Sequence, residues 1–204
     1  MGERLAWYPS LRPGCSASPP GTASVEAHEL ALRLRDFEGA LTPDELLRRG
    51  RSDLDGPGLY SWWVDEEGAD DLSRGLGHTV APGLIYAGLA GATRSRSERR
   101  STNTLWGRLQ GMHLGSRSDF STFRRSLGSI MAELRGTNEI DEAHLSEWMH
   151  AHLRVLTVPV EDADALDGLE SGVLAELDPP LNLAEMPKSE VRARLSQLRK
   201  LHGK

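Results

Sequence analysis

Hydrophobic positions along this chain form three short runs with strand character and a series of longer segments with helical spacing. GLYSWWVD (58–65) and GLIYAGL (83–89) are apolar, aromatic and β-branched runs bounded by glycine or polar turns, and RVLTVPV (154–160) alternates β-branched residues with others. The polar EEGADD that follows the first run reads as a turn, so the first two strands are expected to form an antiparallel hairpin with a long connection. Helical spacing covers VEAHELALRLRDFEGAL (25–41) and TPDELLRRG (42–50), the second opened by Thr42 as N-cap, Pro43 at the first helical position and Glu45 closing a capping box. TLWGRLQGMHL (104–114) has the same spacing, weakened by Gly107 and Gly111. Ser121 and Thr122 can cap the helix FRRSLGSIMAELR, which Gly136 ends. Further helices are expected over about 141–152, over 162–177, where Asp178-Pro179-Pro180 stops the run, and over 187–202.

These elements divide the chain into a Pro-, Ser-, Gly- and Ala-rich arm (1–24), an N-terminal helical extension (25–56), a main body (57–186) and a C-terminal helix (187–204). No internal repeat is visible. No run approaches the ~18 apolar residues of a membrane span, and the N-terminus has no basic-then-apolar leader. Cys15 is the only cysteine, which excludes an internal disulfide and a thiolate metal cluster and fits a reducing compartment. The expectation is a soluble cytoplasmic protein. Arginine outnumbers lysine 21 to 3, a bias that GC-rich bacterial coding would produce.

Charge changes the picture. The chain carries a net −6, yet between residues 94 and 125 eight arginines (Arg94, Arg96, Arg99, Arg100, Arg108, Arg117, Arg124, Arg125) face only Glu98 and Asp119, a local +6. A basic face on an acidic body suits binding to phosphates. On its own, the same segment would also suit a solvated Ser/Arg-rich loop.

The candidate chemistry lies on the helices and strands. Leu166, Leu169, Val173, Leu174 and Leu177 form one stripe of the 162–177 helix, and Glu170 falls near its middle, so its carboxylate faces the protein body. A buried carboxylate needs a cation, a hydrogen-bond cluster or a metal ion. On the 104–114 helix, Arg108 and His113 flank the stripe of Leu105, Leu109 and Met112, about 140° apart on an α-helical wheel. Tyr60 and Tyr86 place a phenol beside a glycine in each of two buried strands, where each hydroxyl needs a partner.

Taken in order, Gly58-Leu59-Tyr60, Tyr86-Ala87-Gly88, Arg108, Glu170 and Asn182 in DPPLN resemble the GIY-YIG endonuclease superfamily, over roughly residues 57–182. Leu59 and Ala87 stand where the family has isoleucine, the connection 68–82 is longer than the family's hairpin, and the position four after the arginine is Met112, with His113 one further on. The resemblance implies an α+β fold: a small antiparallel sheet of about three strands flanked by helices, with N- and C-terminal helical additions.

It also implies a metal-dependent endonuclease that hydrolyses DNA phosphodiester bonds in restriction, phage defence or repair. Tyr60, Tyr86, Arg108, His113, Glu170 and Asn182 would form the catalytic cleft. Glu170 would hold one Mg²⁺ (or Mn²⁺) per active site, Asn182 would orient it, and Arg108 would stabilise phosphate charge. Tyr60 would orient or deprotonate the water, helped by a cation such as His113 or an arginine that lowers its pKa. Arg94, Arg96, Arg99, Arg100, Arg117, Arg124 and Arg125 would contact DNA, and a homodimer through the N-terminal helices would suit two-strand cutting. The rival readings are a catalytically inactive DNA- or partner-binding module that keeps the fold, and an unrelated metalloenzyme acting on a small phosphoester.

Overall fold

The computed structural model describes residues 22–91, 93–94, 99–100, 103–161, 163–184 and 186–203, with the side chains of 22–24, 93–94, 99–100, 164–165 and 167 left out. The arm expected over 1–24 lies outside the described residues as far as residue 21. In chain order the elements are α1 (Thr22–Arg35), α2 (Pro43–Arg49), β1 (Gly58–Val64), α3 (Glu66–Leu76), β2 (Gly83–Ala90), β3 (Thr93–Arg94), β4 (Arg99–Arg100), a π-helical turn (Gly107–His113), α4 (Thr122–Arg135), α5 (Glu142–His152), β5 (Leu153–Pro159), α6 (Ala163–Leu177) and α7 (Glu190–His202).

The expected α+β architecture is present. β1 is the centre of a three-stranded antiparallel sheet in the order β2-β1-β5, and β3 and β4 form a separate two-stranded ribbon. Side chains alternate across a strand, so β1 sends Tyr60, Trp62 and Val64 to one face and Leu59 to the other. The Tyr60 face packs in the larger core with residues of α3, α4, α5 and α7, while Leu59 and Val158 pack in a smaller core with α1 and α6.

Local chemistry explains most boundaries. The α2 capping box forms as expected: the Glu45 amide donates to Thr42 Oγ1 at 3.2 Å, and the Thr42 amide donates to Glu45 Oε2 at 2.8 Å. Ser121 caps α4 by accepting from the Arg124 amide, and Gly136 takes the left-handed conformation at its end. One expectation fails. EEGADD is the first half of α3 rather than a turn: Glu66, Glu67 and Asp70 face solvent, while Ala69, Leu72 and Leu76 are buried. The polar opening hides a helical spacing that becomes visible only when the following LSRGL is read with it. The long connection between the first two strands therefore supplies core.

Candidate active site

Two glycines let the strands approach what they must. A Cβ on Gly58 would sit 2.5 Å from the Val158 carbonyl oxygen, and one on Gly88 would sit 2.6 Å from the Tyr60 hydroxyl. Gly88 is the cross-strand partner of Tyr60, and Tyr86 that of Trp62. Both phenols thus project from the same face of the sheet, with ring centroids 6.5 Å apart.

Tyr60, Tyr86, Arg108, Glu170 and Asn182 line one cleft of about 360 Å³, together with residues that include Thr122, Ser126 and Arg199. The sequence-derived set is therefore brought together, with His113 directly behind Tyr60. Glu170 is half-buried on α6 between Leu166 and Leu174, both buried, so its carboxylate is turned toward the cleft as the helical wheel requires.

His113 is almost fully buried, with Nε2 2.8 Å from the Tyr60 hydroxyl and Nδ1 2.6 Å from Ser121 Oγ. Its place five residues after Arg108 follows from the backbone. Residues 107–113 form a π-helical turn, closed by the Leu114 amide donating to the Leu109 carbonyl five residues back. In such a turn, residues five apart lie one above the other, so one inserted residue restores the alignment that four residues give in an α-helix. The 140° separation expected from an α-helical wheel does not apply.

Electrostatics corrects a second expectation. Burial, reinforced by the Arg108 charge, drives the His113 pKa down to about 3, so the imidazole is neutral and cannot be the cation that acidifies Tyr60. Burial pushes the Tyr60 pKa well above the ordinary phenol value; Tyr86 and the Glu170 charge push the same way, and Arg108 opposes them. Tyr86 is also raised by burial, against a hydrogen bond with Thr122 and the Arg108 charge. Both phenols are protonated at neutral pH. Arg108 is the cation that reaches all three rings, and its Nε–H is buried without an acceptor among the described residues.

Asn182 bonds the backbone of β2. Its Oδ1 accepts from the Ala87 amide at 3.0 Å and its Nδ2 donates to the Ala87 carbonyl at 2.8 Å, so its side-chain amide mimics a neighbouring strand along edge strand β2. Arg192, absent from the sequence-derived set, holds the loop that carries it: Nε donates to the Asn182 carbonyl, and Nη2 to Asp178 Oδ1 and the Pro179 carbonyl. Nothing in local sequence pattern marks Arg192, because its partners lie on a preceding loop. Arg199 on α7, which lines the cleft, was also missed, since the motif read from sequence ends at Asn182.

The remaining arginines divide. Arg124 is fully buried and joins α4 to α5 through Glu142 Oε2 at 2.8 Å and Ser146 Oγ at 2.7 Å, so it is not available to contact DNA. Arg117 is exposed and ion-paired with Asp119, and Arg125 donates to the Asp119 carbonyl oxygen. Arg94, Arg99 and Arg100 lie on the β3–β4 ribbon, their side chains outside the described residues, as is Arg96 altogether. Among the described residues no three His, Cys, Asp or Glu side chains gather to hold a metal ion, and no helix is long and apolar enough to cross a membrane.

The family model of the GIY-YIG catalytic domain matches residues 58–201. The match covers more than half of the chain and extends through α7, and the protein belongs to the GIY-YIG family, whose domain implies nuclease activity. No curated protein and no solved structure gives a match.

Proposed function

We propose that this protein is a divalent-metal-dependent endonuclease acting on DNA. The observation that carries the reading is the Arg108 guanidinium, which lines the cleft with Tyr60, Tyr86 and Glu170: a cation held there beside two phenols suits an anion that enters the cleft. A phosphodiester oxygen matches it in charge and geometry.

The residues fit such a reaction. With its proton on Nδ1, the neutral His113 would accept from the Tyr60 hydroxyl at Nε2 and donate to Ser121 Oγ, the two atoms it touches. That fixes the phenol so that its oxygen lone pair points into the cleft, where it can accept a hydrogen bond from the attacking water and aim it. Tyr86 stands on the same wall and hydrogen-bonds phosphate or water. Arg108 neutralises charge that grows on the phosphoryl oxygens. Glu170 contributes one carboxylate to a cleft with room for several waters, a donor set that fits Mg²⁺ or Mn²⁺ retaining most of its hydration shell. When bound, such an ion supplies Lewis-acid stabilisation of the departing 3′-oxygen. Asn182 and Arg192 are positioning residues for the Tyr86-Ala87-Gly88 segment.

The inactive-module reading rested on the histidine's shifted position, and the 2.8 Å contact of His113 with Tyr60 removes that support. No observation favours a homodimer, since the buried stripe of α1 packs on α6 of the same chain. Incubation of the protein with supercoiled plasmid in Mg²⁺ or EDTA, beside Glu170→Ala, tests the proposal. Nicking or linearisation that requires the metal and is lost in the variant is expected; equal cutting by Glu170→Ala, or none by the wild type, contradicts it.

A further inference from the structure

Four of the six arginines on α4 and α7 are paired with carboxylates: Arg124 with Glu142, Arg135 with Asp141, Arg192 with Asp178 and Arg194 with Glu133. The two others, Arg125 and Arg199, lie together. They line a notch of about 230 Å³ with Leu183, Ser196 and Lys200, and Leu183 and Arg199 also line the catalytic cleft, so the two hollows adjoin. The hydrogen bond of Arg125 runs to a backbone carbonyl, and among the described residues no carboxylate pairs with it.

Arg199 is half-buried, and its pKa is lowered by burial and by the Arg125 charge beside it. Two guanidiniums and an ammonium drawn into one concavity repel one another. Such an arrangement is relieved by an anion that accepts from both forks. A serine hydroxyl and an apolar leucine complete a pocket of the kind that seats a phosphate and its sugar.

We propose that the Arg125–Arg199–Lys200 notch binds a backbone phosphate flanking the scissile one, so that the DNA strand leaves the cleft along the seam between α4 and α7. The inference rests on the nuclease reading. It assigns affinity for polymeric DNA to residues other than those of the β3–β4 ribbon, and it makes a phosphodiester too short to span both hollows a poor ligand.

The test measures binding of a fluorescein-labelled 20-base-pair duplex by anisotropy in EDTA across a salt series, which does not require cutting. In Arg125→Gln/Lys200→Gln the slope of log K against log salt is expected to fall by about one to two, with affinity near 100 mM salt weakened on the order of tenfold. Arg33→Gln/Arg48→Gln, which removes the same charge outside the notch, is expected to keep the wild-type slope. An unchanged slope in the notch variant, or an equal fall in the Arg33/Arg48 variant, overturns the proposal, provided both variants melt cooperatively like wild type. If the wild type binds with the expected slopes but never cuts, the notch is supported and the nuclease reading fails. If it binds no DNA, both fail.

Discussion

At the scale of single residues, the decisive group is His113, because burial gives it one protonation state and hence one role. An imidazole with a pKa near 6.5 unfolded and about 3 folded binds fewer protons in the native state. Its contribution to stability is therefore complete above pH 6.5 and is lost progressively as pH falls toward 3. The full span is worth up to about 5 kcal/mol, a large part of the stability of a domain. Chemical denaturation at a series of pH values is expected to show stability falling below pH 6.5, and His113→Gln, which cannot take up a proton, is expected to show a shallower fall. Equal pH dependence in the two proteins would mean that the imidazole is not held neutral. The same neutrality defines its part in the site. It shares a hydrogen bond with the Tyr60 hydroxyl and lends no positive charge, a task left to Arg108.

At the scale of elements, the site depends on how β2 is held at the edge of the sheet. Asn182 bonds both polar atoms of the Ala87 peptide, and the Leu181 amide donates to the Ile85 carbonyl, so the DPPLN loop serves as a partial fourth strand. Asn182→Ala leaves the Ala87 N–H and carbonyl without their partner and is expected to cost about 2–3 kcal/mol. Gly88→Ala forces a methyl group against the Tyr60 hydroxyl and is expected to lower cleavage at least tenfold, with a smaller loss of stability. Thermal melting alongside cleavage rates checks both variants; wild-type rates in Gly88→Ala would show that Tyr60 is not held where the cleft needs it.

Much of this was legible beforehand. Capping residues announced α2 and α4, and the apolar stripe of α6 pointed Glu170 inward. Features that depend on neighbours were not legible: the π-helical turn, which Gly107 and Gly111 only hinted at; the burial of Arg124 against Glu142; and the Arg192 buttress, whose partners come from another segment.

At the scale of the whole molecule, two cores on opposite faces of a small sheet support one cleft, and each face contributes to it. The larger core holds the phenols and the imidazole, and the smaller one carries α6 and Glu170. The fold keeps an unfavourable feature, the buried Arg108 Nε–H without an acceptor among the described residues, on a side chain that lines the cleft, as a group kept for substrate rather than for stability would be. The most direct test of that claim is a paired measurement on Arg108→Met, which keeps the aliphatic stem and removes the charge: single-turnover cleavage of plasmid DNA, and thermal melting. The account predicts a rate about 10²–10³ lower, the size of one lost transition-state donor, with a melting temperature equal to or above that of the wild type. A rate near wild type, or a rate loss accompanied by a clear fall in melting temperature, would contradict it by showing that Arg108 holds the fold rather than a phosphate.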